Sequence, residues 1–209
     1  MKPFSGIRAV LLVVLILVVG INVMPPGLAA ALVQEHGPVE MLSAVGYLVA
    51  VGWLILTALV KSERWLFSAS FMVSLLGLRE MDFNSRFTSM GIFKTEYYIS
   101  PKVPGTEKII VSVLMLIISC IVVHFIWTRW HSFLTALKAG DTAAVNLIMA
   151  IGFGFISKIL DSMSTPLRKV VALFHNDPRT CLRVVEESME LAIPLFILLA
   201  IYHSFWKRE

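Results

Sequence analysis

Between Ile109 and Trp127 the chain carries no Asp, Glu, Lys or Arg, and comparable apolar runs recur along its length. A backbone surrounded by hydrocarbon finds no water for its N–H and C=O groups, so only helices or a closed barrel can cross a bilayer. The apolar runs here are continuous rather than alternating, which excludes the barrel and leaves helices. Composition points the same way. Of the residues 57% are hydrophobic and 15% charged, against about 25% charged in soluble domains. The 18 basic residues are scattered through loops, which argues against nucleic acid as a partner. Cys120 lies in an apolar run and Cys181 in a polar one. That difference in depth argues against a disulfide, and no Cys-x-x-Cys pair points to zinc or redox work.

Six spans are expected, at about 7–24, 41–60, 65–82, 109–127, 143–161 and 184–206, all within one transmembrane domain over 1–209. The third reaches spanning length only if "LREMD" (78–82) continues its helix, and the sixth only if its glutamates are helical. In the loop between the third and fourth spans, Phe83, Phe87, Met90 and Tyr97 recur near helical spacing before Pro101 and Pro104. That pattern predicts an interfacial helix, acting as an aromatic anchor or as a lid. The fold class is therefore an all-α integral membrane protein, a bundle of six transmembrane helices with an interfacial amphipathic segment. Lys2 and Arg8 precede the first span and no Lys or Arg follows it up to Pro38, which favours cytoplasmic N- and C-termini in a bacterial inner (plasma) membrane. The outer loops then hold ten basic residues against eight inside, so the raw count opposes this choice. Lys2, Arg8 and "LAAA" at 28–31 also suit a cleaved leader; a retained anchor is expected.

Alternation of six spans gathers the acids. Glu35 and Glu40 open the second, Glu80 and Asp82 close the third, Asp161 closes the fifth, and Glu186, Glu187 and Glu190 open the sixth. All four ends fall on one membrane face, and the other face keeps only Glu63, Asp141 and Glu209. Residues three or four apart share a helix face, so Glu190 stacks on both Glu186 and Glu187. Ser157 and Asp161 stack likewise, and Glu40, Ser43 and Tyr47 step down the second helix. Ionisable groups at a span are costly and by default mark a function. A carboxylate cluster also repels itself unless arginines, lysines or a bound cation neutralise it.

These patterns assign roles as expectations. Glu190, Glu187, Asp161 and Glu80 are candidate catalytic carboxylates, with Glu190 as general base. Arg79, Arg86, Lys158 and Arg183 would hold an anionic substrate group. Glu40, Asp82 and Glu186 would bind a divalent cation, magnesium, calcium or manganese, because oxygen ligands suit hard ions. No His/Cys set has zinc spacing, and no nucleophile elbow or phosphate loop is present. The bland alternative is that Arg79, Lys158 and Arg183 pair with Glu80, Asp161 and Glu187 merely to lock helix ends. The expected function is an intramembrane enzyme on a lipid or polyisoprenoid headgroup, a metal-assisted hydrolase or a headgroup transferase. A proton- or cation-coupled carrier and a structural or regulatory subunit are the alternatives, and no protein partner is specified.

Overall fold

The computed structural model describes residues 5–34, 36–81, 88–89, 91–92, 95–173 and 177–205. The regular structure among them is entirely helical, with no strand. In chain order the helices are α1 (Ser5–Val23), α2 (Pro26–Leu32), α3 (Pro38–Lys61), α4 (Trp65–Glu80), α5 (Thr95–Ile99), α6 (Gly105–Lys138), α7 (Thr142–Ser162), α8 (Ser164–Val171) and α9 (Pro178–Phe205).

Four of them, α1, α3, α6 and α7, are long and apolar enough to cross a membrane. Their outward faces carry large apolar side chains such as Leu15, Ile16, Leu48, Leu56, Leu116 and Phe155. Exposed apolar area on this scale suits lipid rather than water. The sequence reading asks for six crossings, and the remaining two helices show why the number is not reached on length and apolarity alone. The 16 residues of α4 rise only about 24 Å. In α9, Arg179, Arg183, Glu186, Glu187 and Glu190 occupy the first half, so its apolar stretch begins at Leu191.

That last helix is nevertheless the hub. It packs along α7, α3 and α1, and α3 in turn packs on α4. The core joins Ala192, Phe196, Ile197 and Ile201 of α9 to Tyr47, Ala50 and Leu54 of α3, Leu66 and Val73 of α4, and Ala150 of α7. Two glycines set the helix separations. A Cβ on Gly46 would lie 2.9 Å from Pro194 Cβ, and one on Gly77 would lie 3.0 Å from Tyr47 Cβ. In contrast α6, 34 residues and about 51 Å long, only grazes α4 and α7. It absorbs the connector that the sequence suggests after Trp127. Gly140, at φ 69, ends the run, and Asp141 caps α7 by accepting from the N–H groups of Ala143 and Ala144 at 2.9 and 3.2 Å.

The interfacial segment differs from expectation. Residues 82–87, 90, 93 and 94 lie outside the described residues. Of the rest, only α5 is helical, and Tyr97 is fully buried against Val103 and Val111 instead of facing lipid. Its hydroxyl donates to Glu107 Oε1 at 3.2 Å, and burial together with that carboxylate holds the phenol above its usual range. Ser89 donates to the same carboxylate through its N–H (2.9 Å) and its hydroxyl (2.7 Å), while Lys108 Nζ donates to the carbonyls of Tyr98 and Ser100. This loop is thus fastened to the start of α6. The amphipathic interfacial pattern belongs instead to α8, where Leu167, Val170 and Val171 share one side and Arg168 and Lys169 the other, with no residue buried.

Candidate functional site

The acid-bearing ends of α3, α4, α7 and α9 converge on one cleft of about 1130 Å³. Six carboxylates line it, from Glu40, Glu80, Asp161, Glu186, Glu187 and Glu190, together with the basic side chains of Arg79, Lys158, Arg168, Arg179 and Arg183. α2 and the turn after it supply a further wall, through Gly27, Ala30, Ala31, Val33 and Gln34.

Glu190 is the most elaborately held of the acids. Ser157 Oγ of α7 donates to Glu190 Oε1 at 3.0 Å, and Arg79 Nη2 of α4 lies 3.9 Å from the same oxygen. The Glu190 side chain keeps 20% of its surface exposed, against 55% for Arg79. Its backbone is special too. Proline has no N–H, so Pro194 cannot bond the carbonyl four residues earlier, which is that of Glu190. Ser43 Oγ of α3 donates to this carbonyl across the interface at 3.4 Å. Gly46, one turn along α3, is what lets the two helices approach at Pro194. Tyr47, 3% exposed, lies within electrostatic reach of Glu80, Glu190 and Arg79. Glu80 Oε1 is buried and has no hydrogen-bond partner among the described residues.

The other acids have more local partners. Arg183 Nε sits 3.7 Å from Glu187 Oε1, one turn apart on α9. Lys158 pairs with Asp161 at the exposed rim. Glu40, in the first turn of α3, reaches back to accept from the His36 N–H at 2.6 Å, with His36 Nδ1 3.4 Å away. That arrangement satisfies an orphan donor ahead of the helix, as a capping glutamate does. Helix-end locking therefore describes Asp161 with Lys158, Glu187 with Arg183, and Glu40 with its loop. It does not describe Arg79, which reaches across to Glu190 on another helix rather than to Glu80 beside it.

Nine of the eleven residues singled out from the sequence line this cleft: Glu190, Glu187, Asp161, Glu80, Arg79, Lys158, Arg183, Glu40 and Glu186. Asp82 and Arg86 lie outside the described residues. Among the described residues no three His, Cys, Asp or Glu groups are disposed to hold a metal ion, so a divalent cation remains an expectation. Sequence reasoning passed over Arg168, Arg179 and the α2 wall. Arg179 was within reach, because Arg179, Arg183 and Glu187 recur every fourth residue and mark a helix that begins at Pro178. None of the protein families, curated proteins or solved structures compared with this chain matches it.

Proposed function

We propose that this chain is an intramembrane enzyme whose cleft takes the headgroup of a lipid or polyisoprenoid, with Glu190 as general base. The observation that carries the reading is the asymmetric hold on Glu190. Ser157 and Arg79 both engage Oε1, and among the described residues no hydrogen bond takes up Oε2. An oriented carboxylate with one oxygen spare can accept a proton from an attacking water or alcohol. Arg79, Arg183 and Lys158, with Arg168 and Arg179, supply positive charge for an anionic headgroup in the same cleft. Glu80 and Glu187 line the same cleft as Glu190. On this reading α4 and α9 insert beside the four long apolar helices, and reporter fusions at Pro25 and Ser62 would report opposite sides of the membrane.

The test compares cellular lipids among deletion, wild-type and Glu190→Gln strains. A headgroup change common to the deletion and to Glu190→Gln supports the enzyme. Unchanged lipids together with cation flux in liposomes would overturn it in favour of a carrier. Bound magnesium, calcium and manganese are measured on the same purified protein. Metal that is lost in Glu186→Gln would add metal assistance to the chemistry.

A further inference from the structure

At the end of the bundle away from the acidic cleft, α4 and α6 diverge around a crevice of about 450 Å³. Arg64 and Trp65 at the start of α4 and His124 and Arg129 of α6 line it, with the Ser68 hydroxyl and Ile121. The Arg129 guanidinium lies 4.5 Å from the Trp65 ring centroid. That contact holds the guanidinium over the ring by a cation–π attraction, and its N–H groups can still donate. The nearby acid, Glu63, is engaged with the Trp65 indole N–H. Among the described residues neither Arg64 nor Arg129 enters an ion pair.

The crevice also opens onto an apolar track. Leu114, Ile117 and Ile121 of α6 are 54%, 50% and 40% exposed, and their spacing of three and four residues puts them on one face that leads from the crevice along the helix. Two arginines placed to form bidentate bonds, an aromatic ring, a hydroxyl and an acyl-length apolar strip are the parts of a phospholipid site, since basic pockets between spanning helices suit anionic headgroups.

We propose that this crevice binds an anionic glycerophospholipid, its phosphate between Arg64 and Arg129 and one acyl chain along Ile121, Ile117 and Leu114. The site is separate from the acidic cleft and does not rest on the enzymatic reading. The test uses the full chain in detergent, titrated with phosphatidylglycerol, phosphatidylcholine or inorganic phosphate and followed by native mass spectrometry. Phosphatidylglycerol is expected to bind more tightly than phosphatidylcholine. Arg64→Gln/Arg129→Gln should weaken it about 30-fold and each single variant about 5-fold, while Lys138→Gln leaves it unchanged. Should the double variant misfold, Arg64→Gln alone decides, because Arg64 is exposed and contributes no described ion pair. Phosphatidylglycerol binding unaffected by Arg64→Gln would overturn the proposal. So would displacement of the lipid by inorganic phosphate, which would mark a soluble-anion site instead.

Discussion

Gly46→Ala and Gly52→Ala make the same chemical change in the same helix, α3, and should differ in their effect on stability. A Cβ at Gly52 meets nothing within 4 Å, whereas one at Gly46 would meet Pro194 Cβ at 2.9 Å and Cγ at 3.2 Å. Carbon atoms in contact prefer about 3.5–4.0 Å. The proline ring is closed on its own backbone and cannot swing aside, so α3 and α9 must part by several tenths of an ångström. Replacing a helical glycine by alanine gains about 1 kcal/mol of propensity at either place. Overpacking at Gly46 costs about 1–3 kcal/mol, which leaves Gly46→Ala roughly 1–3 kcal/mol less stable than Gly52→Ala. For a chain of this size each kcal/mol moves Tm by about 2–4 °C. Thermal melts of both variants in one detergent, followed by circular dichroism, should therefore separate by roughly 2–12 °C. If Gly46→Ala melts as high as Gly52→Ala, the close α3–α9 contact is wrong, and with it the route by which Ser43 reaches Glu190.

Ser43→Ala should cost about 1 kcal/mol by leaving the Glu190 carbonyl without either its helix donor or its substitute. Ser43→Thr, which keeps the hydroxyl, should restore the melt, and equal losses in both variants would point to packing instead. Glu107→Gln should loosen the loop without lowering the global melt, because it weakens the acceptor shared by Ser89 and Tyr97. Hydrogen–deuterium exchange over residues 95–100 should rise in that variant, and unchanged exchange there would show that Glu107 is not the fastening.

The gathering of the acids in one cleft was legible because it needs only parity. Once the apolar runs are placed, alternate ends share a side, and Glu40, Glu80, Asp161 and Glu190 follow without any knowledge of packing. The contacts that distinguish Glu190 were not legible. Ser157 and Ser43 are separated from it by 33 and 147 positions, and nothing local encodes how deep one helix sits against another. Short elements were lost for a different reason. In α2 and α8 the run is too brief for periodicity to rise above composition, so the α2 wall resembled a processing site and Arg168 a loop residue. The first turns of α9 were discounted because their polarity masks them in hydropathy, although the fourfold spacing of Arg179, Arg183 and Glu187 marks a helix. Tyr97 misled in the opposite sense. An aromatic near an interface was read as facing lipid, but its hydroxyl could find Glu107 and its ring could be buried.

Within α9 the character of the chain changes over a single turn. Arg179, Arg183, Glu186, Glu187 and Glu190 line the cleft, and beyond Pro194 the buried residues Phe196, Ile197, Ala200 and Ile201 fill the bundle. No ionisable side chain lies on α9 between Glu190 and Tyr202. An ion in a closed apolar core costs far more than thermal energy can supply, which keeps the charged side chains of α9 at its cleft half. Buried polar side chains do occur elsewhere, as Ser70 on α4 and Asn146 on α7; Asn146 donates to the Thr142 carbonyl of its own helix, while its Oδ1 has no hydrogen-bond partner among the described residues. One turn deeper, Glu190 would be a charge without solvent. One turn shallower, at Glu186, it would lack Ser157 and Arg79. Glu190 thus stands at the boundary between the two halves of α9, the last carboxylate on that helix and the one that Ser157 and Arg79 engage.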